Sequence, residues 1–389
     1  MPGPLDGLLV VDLTRALAGP HATMTMGDLG ARVVKVEPPS GDDSRSWGPP
    51  FVGPDDDVST YFLSCNRNKQ SVTADLRSGD GQWLLTELVR RADVLVENYR
   101  PGTLEALGFS IDRLHAINPG LVVLSISGFG HDGPESARAG YDQIAQGEAG
   151  LMSLTGEPGH PMRVGVPIAD LLAGMTGLIG VLAALHERHI TGRGRVVRTS
   201  LLASVVGIHA FQGTRWTVAG EVPGAVGTHH PAIAPYGLFT AGSTSLQIAV
   251  GTQSQWRVFA PLVGLDPDDA RFADNTARVA YRDDLTVAIE SALTTGTTEQ
   301  WLARLAAAGI PAGRVRTLDE VYEWEQTRSQ HLLLQIDDPT LGPLTLPGSP
   351  LRFDAVDGRE HEVPADPPPR LGEHNAAVRA WLAQSGGPA

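Results

Sequence analysis

Along the first half of the chain, short apolar runs of strand length alternate with segments whose apolar residues recur at helical spacing. Residues 7–13 form a near-continuous apolar run, as expected of a strand covered on both faces. Residues 20–27 are short and Met-rich and read as a helix closed by Gly27 or Gly30. Arg32–Glu37, with Val33, Val34 and Val36, is the next strand. After this β-α-β unit, residues 38–57 are rich in Pro, Gly and Asp and read as loop. The alternation resumes with a strand at 71–76 and a helix at 81–91, which carries Trp83, Leu84, Leu88 and Val89. A strand at 93–97, a helical turn at 101–107, a helix at Ile111–Ile117 and a strand at 121–127 follow. Repeated β-α units predict a mostly parallel sheet with helices on both faces. The longest helix spans 170–189, with Gly174, Gly177 and Gly180 at every third residue. That stripe suits either a second helix or chain lying close to it or tight packing within the core.

Beyond residue 194 the pattern changes. A helix over 201–216 leads into a Gly- and Pro-rich loop at 220–235. Strands near 237–239 and 246–250, then helices at 255–263, Arg282–Leu293 and 299–308, predict a smaller α/β domain. From residue 326 onward the chain is Pro-rich, and it holds a last helix at Asn375–Gln384.

Composition narrows the function. With 389 residues, 42% of them hydrophobic, the chain is long enough for two domains with a real core. Its net charge of −14, without a basic run, argues against nucleic acid as partner, because phosphate neutralisation needs clustered Lys and Arg. A small anionic ligand needs only a few local cations. Cys65 is the single cysteine, so neither an intramolecular disulfide nor a thiolate metal cluster is expected. With an N-terminus that lacks a basic n-region, this predicts a cytoplasmic protein. The apolar stretch 171–185 is Gly- and Ala-rich and reads as too short to span a bilayer, so no membrane partner is expected.

Gly27-Asp28-Leu29-Gly30 does not spell the turn that brings a pyrophosphate to a helix N-terminus in dinucleotide folds. His229 and His230 are adjacent, which points their side chains apart, and no metal site is expected. Cys65, between Ser64 and Asn66 with no His nearby in sequence, reads as a packed cysteine. Asp170 stands out because it follows the apolar residues 164–169 and opens a long apolar helix. The helix N-terminus is expected to keep it ionised. Such a carboxylate is either a helix cap or, in a dry pocket, a nucleophile toward an activated acyl group.

The segments Val11-Asp12-Leu13-Thr14-Arg15, Ala18-Gly19-Pro20, Gly27-Asp28-Leu29-Gly30-Ala31 and Val34-Lys35-Val36-Glu37 resemble the N-terminus of the class III coenzyme A (CoA) transferases. This is the family of formyl-CoA transferase, carnitine CoA-transferase and the bile-acid-inducible F proteins. The resemblance continues in order through Asn66-Arg67-Asn68-Lys69, Ala74-Asp75-Leu76-Arg77, Val96-Glu97-Asn98-Tyr99-Arg100-Pro101-Gly102, Ser127-Gly128-Phe129-Gly130, Gly140-Tyr141-Asp142, Gly150-Leu151-Met152, Asp170, Thr191-Gly192-Arg193-Gly194, Ala234-Pro235-Tyr236, Ile310-Pro311-Ala312-Gly313 and Leu371-Gly372-Glu373-His374.

The resemblance implies an α/β fold with a Rossmann-like large domain and a smaller α/β domain, in a homodimer whose chains interlock like linked rings. The expected boundaries are 1–200 plus 328–389 for the large domain, 201–235 for a linker helix and loop, and 236–327 for the small domain. It implies that CoA and acyl-CoA are substrates, with no permanently bound cofactor, and that Asp170 carries anhydride and aspartyl-CoA thioester intermediates. Tyr141 and Gly227 are its further catalytic candidates. Gly224, Gly227, Thr228 and His229 stand where some members have a run of glycines over the site. By the same correspondence Leu17, Ala18, Ala74, Asp75, Leu76, Arg77, Asn98, Tyr99, Arg100, Tyr141 and Asp142 line the CoA path. Pro38 and Pro39 replace a basic residue of some relatives, which leaves Arg15, Arg45, Arg77 or Arg100 for the phosphates.

Two alternatives stand beside transfer. An α-methylacyl-CoA racemase needs acid/base groups flanking the α-carbon, and Tyr141 occupies the place where the racemases have a His. With a reference pKa of about 10, a phenol is a poor base at neutral pH. The other alternative is a non-catalytic CoA-ester binding protein. For the acids themselves, His229, His230 and Arg257 suit the far carboxylate of a dicarboxylic acid, whereas Trp47, Phe51 and Tyr236 suit a longer apolar chain.

Overall fold

The computed structural model describes residues 3–242, 244–354 and 365–384. They divide into two compact units, one of Met1–Leu151, Val164–Gly220 and Glu325–Ala389, the other of Met152–Arg163 and Glu221–Trp324. Within the tail assigned to the large domain, residues 355–364 and 385–389 lie outside the described residues.

In the first unit six parallel strands form one sheet: β1 (Leu9–Asp12), β2 (Arg32–Glu37), β3 (Lys69–Thr73), β4 (Val94–Glu97), β5 (Val122–Ser127) and β6 (Val196–Ser200). Their order is β3-β2-β1-β4-β5-β6, so the direction of winding reverses between β1 and β4. This is the doubly wound order whose crevice at the reversal, beyond the carboxyl ends of the strands, is the usual ligand position. Alternate residues supply two cores. Val10, Val33, Val94 and Leu124 face the helices α1 (Ala18–Asp28) and α4 (Ile168–Thr191). Leu9, Val11, Val34, Leu95 and Val123 face α2 (Gly79–Arg91) and the last helix, Asn375–Gln384. Covering on both faces explains why these strands read as continuous apolar runs. Between α2 and α4, α3 (Asp142–Glu148) follows the loop after β5.

Buried charge closes the carboxyl end of β1. The Asp12 carboxylate accepts from Thr14 N–H and Oγ1–H, from Thr23 Oγ1–H and from Lys69 Nζ at 3.0 Å. Lys35 Nζ donates to the Thr14 carbonyl and pairs with Asp42 at 2.9 Å. Lys35 and Lys69 are the only lysines of the chain, and both are buried.

The sequence reading differs from the structure at several places. The helix expected over 201–216 is two helices, α5 (Leu201–Gly207) and α6 (Ala210–Thr217). The break falls after Gly207, where the His209 ring bonds the Ala149 carbonyl at 2.8 Å and Ala210 takes a left-handed φ of 47°. Both helices belong to the first unit, since α5 packs on α3 and α4. The short hairpin Gly156–Glu157 with His160–Pro161 instead belongs to the second unit, tied by the Gly227 N–H to the Gly156 carbonyl. Strand β6, helix α3, strand Ala312–Arg314 and the hairpin Leu333–Asp338 with Gly342–Pro347 went unread. Each is short or carries polar or Pro residues that blur the period.

The second unit holds an antiparallel sheet of Tyr236–Ala241, Thr244–Ala249 and Ala312–Arg314, covered by helices around Phe239, Trp256, Phe259 and Trp301.

By length and composition alone, the 24-residue α4 is long and apolar enough to cross a bilayer. The expectation that it was too short is thus corrected. Its glycine stripe packs inside the chain: Gly174 on the Ala18 carbonyl of α1, Gly177 on Leu124 and Gly180 on Val197. Met175, Ile179, Leu182 and Ile190 on its other face are exposed. A β-carbon at position 174 stands 2.5 Å from the Ala18 carbonyl oxygen, which the backbone cannot readily withdraw. Gly174→Ala is therefore expected to lower stability by about 1–3 kcal/mol. Gly207→Ala, where a β-carbon meets nothing within 4 Å, should stay within about 0.5 kcal/mol of wild type. Urea unfolding of both variants checks the contrast.

Candidate active site

The turns after β1 and β4 meet at the strand-order reversal. The Asp12 network sets the backbone of residues 13–17, and Asn98, just past β4, grips that turn with its carboxamide. Arg15 N–H donates to Asn98 Oδ1 at 2.9 Å, and Asn98 Nδ2 donates to the Arg15 carbonyl at 2.8 Å. The Arg15 guanidinium lies 5.7 Å from the Tyr99 ring centre, and its Nε is buried without a hydrogen-bond partner among the described residues.

Arg15 and Tyr99 form a common wall between two cavities. The first, of about 400 Å³, is bounded by Arg15, Ala16 and Ala18 after β1, Asn98–Pro101 after β4, Ile126–Gly128 at the end of β5, residues 138–141, Asp43, Trp47, Leu201 and Asp170. The second, of about 610 Å³, is bounded by Pro38, Pro39, Ala74, Asp75, Leu76 and Arg77. One rim of the first depends on two glycines. A β-carbon on Gly128 would stand 2.7 Å from the Gly140 Cα, so the backbones after β5 and before α3 touch only because both residues lack side chains.

Asp170 is the third residue of α4, half-buried and facing the first cavity. The structure separates the two readings of this residue. The capping role belongs to Asp142, whose Oδ1 accepts the Ala169 N–H at 2.8 Å while its Oδ2 accepts from Gln146. The Asp170 carboxylate accepts no hydrogen bond among the described residues. Burial, and secondarily the Asp142 carboxylate, push its pKa up to about 7. The expectation that the helix N-terminus keeps it fully ionised is thus corrected, because desolvation and a like charge outweigh the unpaired N–H groups. Tyr61, which sequence reasoning missed, lies close enough to feel Asp170. Burial and then that carboxylate hold its phenol above its usual value, and its ring meets Trp47 edge-on at 4.9 Å.

The sequence-derived site residues fall into three groups. Arg15, Ala18, Asn98, Tyr99, Arg100, Tyr141 and Asp170 come together at the first cavity, and Ala74, Asp75, Leu76 and Arg77 at the second. Leu17 packs with Met24 and Cys65 beneath the floor and borders neither cavity, and Asp142 is spent on capping α4. Gly227 lies in the second unit, where its N–H is taken by the Gly156 carbonyl and is not free for an oxyanion.

The four candidate arginines also separate. Arg45 is bound bidentately by Glu37 and lies 3.7 Å from the Phe62 ring centre, whereas Arg77 pairs with Asp75. Arg15 and Arg100 make no ion pair among the described residues. His229 packs on Phe239, and His230 Nδ1 accepts the Ala232 N–H. Burial, with Arg282 nearby, lowers the pKa of both rings, which disfavours their charged form. Cys65 is buried with its thiol pushed up to about 11, a packed cysteine. Gly128-Phe129-Gly130-His131-Asp132-Gly133 does spell G-x-G-x-x-G after a strand. The next helix, however, begins only at Asp142, so no helix N-terminus faces that turn.

Comparison with known proteins agrees with this geometry. The sequence profile of CoA-transferase family III matches residues 5–375. The mouse succinyl-CoA:glutarate CoA-transferase is 38% identical over 379 residues, covering 96% of this chain and 85% of its own. The acetyl-CoA:oxalate CoA-transferase of Acetobacter aceti is 37% identical over 386 residues, covering 98% and 96%. A crystal structure of a CAIB/BAIF family protein from Brucella suis superposes with a TM-score of 0.86 at 40% identity, covering 98% of this chain and all of the other. With the parallel sheet, the cavity at its reversal and a free carboxylate inside it, these likenesses make the chain a member of CoA-transferase family III and a CoA-transferase.

Proposed function

We propose that the enzyme moves CoA between short dicarboxylic acids by covalent catalysis on Asp170. The observation that carries this reading is the Asp170 carboxylate, which faces the cavity with no hydrogen-bond partner of its own. A carboxylate stripped of solvent and partners is a stronger nucleophile than a hydrated one. It attacks the thioester carbonyl of the donor, giving a mixed anhydride and CoA thiolate. The thiolate attacks the aspartyl carbonyl, releasing the donor acid and storing CoA as an aspartyl thioester. The acceptor carboxylate then displaces the thiolate, which attacks the acyl carbonyl of the new anhydride and frees Asp170.

Each step builds an oxyanion. With Gly227 N–H engaged elsewhere, the N–H groups of Gly140 and Tyr141 on the cavity wall are the donors we assign. Arg15 and Arg100 take the CoA phosphates, with the chain of CoA running along Ala74–Arg77 past Tyr99. The dicarboxylate preference rests on the names of the relatives, which specify succinyl-CoA, glutarate and oxalate. The exposed apolar face of α4 supports a homodimer, and we place the enzyme in the cytoplasm.

Succinyl-CoA given without acceptor should load Asp170 with a label that hydroxylamine or borohydride traps. Label on Cys65 or a serine would overturn the mechanism. Asp170→Ala should lower kcat at least about a thousandfold, roughly 4 kcal/mol of barrier.

Since only the ionised carboxylate attacks, kcat/KM should rise with pH about a midpoint near 7. Asp142→Asn keeps the oxygen for Ala169 N–H and removes the like charge, so the midpoint should move down. Stability carries the opposite sign. A carboxyl whose folded pKa is raised above its unfolded value favours the fold below that unfolded value and loses the benefit as pH rises through 7. Asp170→Asn should therefore melt above wild type at pH 8 and not at pH 4.

A panel of acyl-CoA donors and acids, followed by HPLC, tests the substrate class. Exchange confined to monocarboxylic acids would remove the dicarboxylate reading, and solvent deuterium entering the α-carbon without exchange would restore racemisation. Sedimentation at micromolar concentration should show a dimer.

A further inference from the structure

Three polar side chains form a chain behind the wall of the Asp170 cavity, and the mechanism uses none of them. Glu97 ends β4 and Ser125 lies beside it in β5, paired in register, so both side chains leave the same face of the sheet. Glu97 and the Ser125 hydroxyl are in hydrogen-bond contact, and Ser125 Oγ stands 2.7 Å from His131 Nε2. The other Glu97 oxygen accepts the Tyr99 N–H at 2.8 Å. Glu97 and Ser125 are both buried, and His131 is half-buried.

The two ends of this chain hold the two segments that make the cavity. At the Glu97 end, Tyr99 N–H fixes the turn whose Asn98 grips Arg15 and whose Arg100 lines the cavity. At the His131 end, the chain holds one limb of the loop between β5 and α3. The base of that loop is the Gly128–Gly140 contact, and its far limb brings Arg138, Gly140 and Tyr141 to the cavity.

The hydroxyl in the middle can donate one way while accepting the other, so the chain accommodates a proton at either end. With Glu97 ionised, His131 Nε2–H donates to Ser125, which donates to Glu97. With Glu97 protonated, every bond reverses and His131 carries its hydrogen on Nδ1. Burial, partly offset by Ser125 and the Tyr99 N–H and aided by Glu105, holds Glu97 near 7, where both arrangements are within reach. Around His131, burial and Arg198 lower the pKa of the ring, against the opposing pull of Asp132 and Glu105.

We propose that Glu97, Ser125 and His131 are positioning residues for CoA, clamping the turn after β4 against the near limb of the loop after β5 so that Arg15 and Arg100 stand in place before ligand arrives. The proposal rests on the transferase reading of the same cavity. Its effect belongs to binding, because none of the three borders the space around Asp170.

The test measures Kd for free CoA by titration calorimetry, KM and kcat for succinyl-CoA with glutarate, and the thermal midpoint, in Ser125→Ala, Glu97→Ala and Glu97→Gln. Ser125→Ala cuts the chain without changing charge. It should weaken CoA binding and raise KM about fivefold, the loss of one hydrogen bond, with kcat held within about twofold. Glu97→Ala should do the same. Glu97→Gln should bind CoA as wild type does, since a carboxamide accepts from Tyr99 N–H and donates to Ser125 to keep the chain closed. Unchanged Kd in Ser125→Ala overturns the proposal, as does equal damage in Glu97→Gln and Glu97→Ala. A loss of kcat with KM unchanged, or a loss of affinity only where the protein has begun to melt, overturns it too. Native protein that binds CoA but exchanges no acid would defeat the transferase reading alone, and the clamp is then still judged by Kd.

Discussion

Everything at the ligand end of the sheet hangs on one buried carboxylate. Asp12 ends β1 at the point where the strand order reverses, and four donors surround it. Burial alone would raise its pKa, but Lys69 and Lys35 reverse that and hold it well below the usual range. Lys69 also reaches the Pro20 carbonyl at the start of α1 and Asn66 before β3. Lys35 joins β2 to the Thr14 carbonyl and Asp42. One charge cluster thus fixes β1, β2, β3, α1 and the loop at Asp42 against one another. A buried pair of this kind adds little net stability compared with apolar packing, yet breaking it by removing one partner costs about 3–5 kcal/mol. What it supplies is position: residues 13–17 are held, and through them Arg15 and Ala18.

The opposite arrangement occurs across the reversal. Asp12 is saturated with donors and stays ionised, whereas Asp170 is left without them and Glu97 has only two. Burial pushes both of these carboxyls toward neutrality. On the mechanism proposed above, this poverty of partners serves Asp170, because each hydrogen bond would lower the energy of an attacking lone pair. The fold tolerates two uncomfortable acids at one end of its sheet because the well-satisfied network beside them keeps the backbone from relaxing around them.

Much of this was legible in the sequence. Strands covered on both faces read as apolar runs, so the central sheet and its helices could be drawn from residues such as Val33, Val34 and Val36 or Leu84, Leu88 and Val89. Arg32–Glu37, Ile111–Ile117, Arg282–Leu293 and Asn375–Gln384 have the expected bounds. Edge strand β6, with Arg198 and Thr199 in it, lacked such a run and went unread. At the site, residue types singled out Asp170, Asn98 and Arg100, which the fold gathers around one cavity. They could not say whether Asp142 or Asp170 takes the Ala169 N–H, since both acids stand near a helix start and only tertiary geometry decides. Nor could they separate Arg15 and Arg100 from Arg45 and Arg77, because a cation's availability depends on the acid folded against it, and Glu37 claims Arg45 from a neighbouring strand. Tyr61 carried no signal at all, since the Asp170 charge that acts on its phenol comes from a segment far away in the chain.

The two lysines have a chemical consequence. Thioesters acylate amines and thiols wherever they meet them unprotonated, so an enzyme that lives among CoA thioesters is exposed to its own substrates. Here both lysine amines are buried in ion pairs and hydrogen bonds, and the single thiol is buried and protonated. Every other basic side chain that carries fixed charge is an arginine, whose guanidinium keeps its proton and does not acylate. The described surface therefore offers reactive acyl groups no lysine amine and no cysteine.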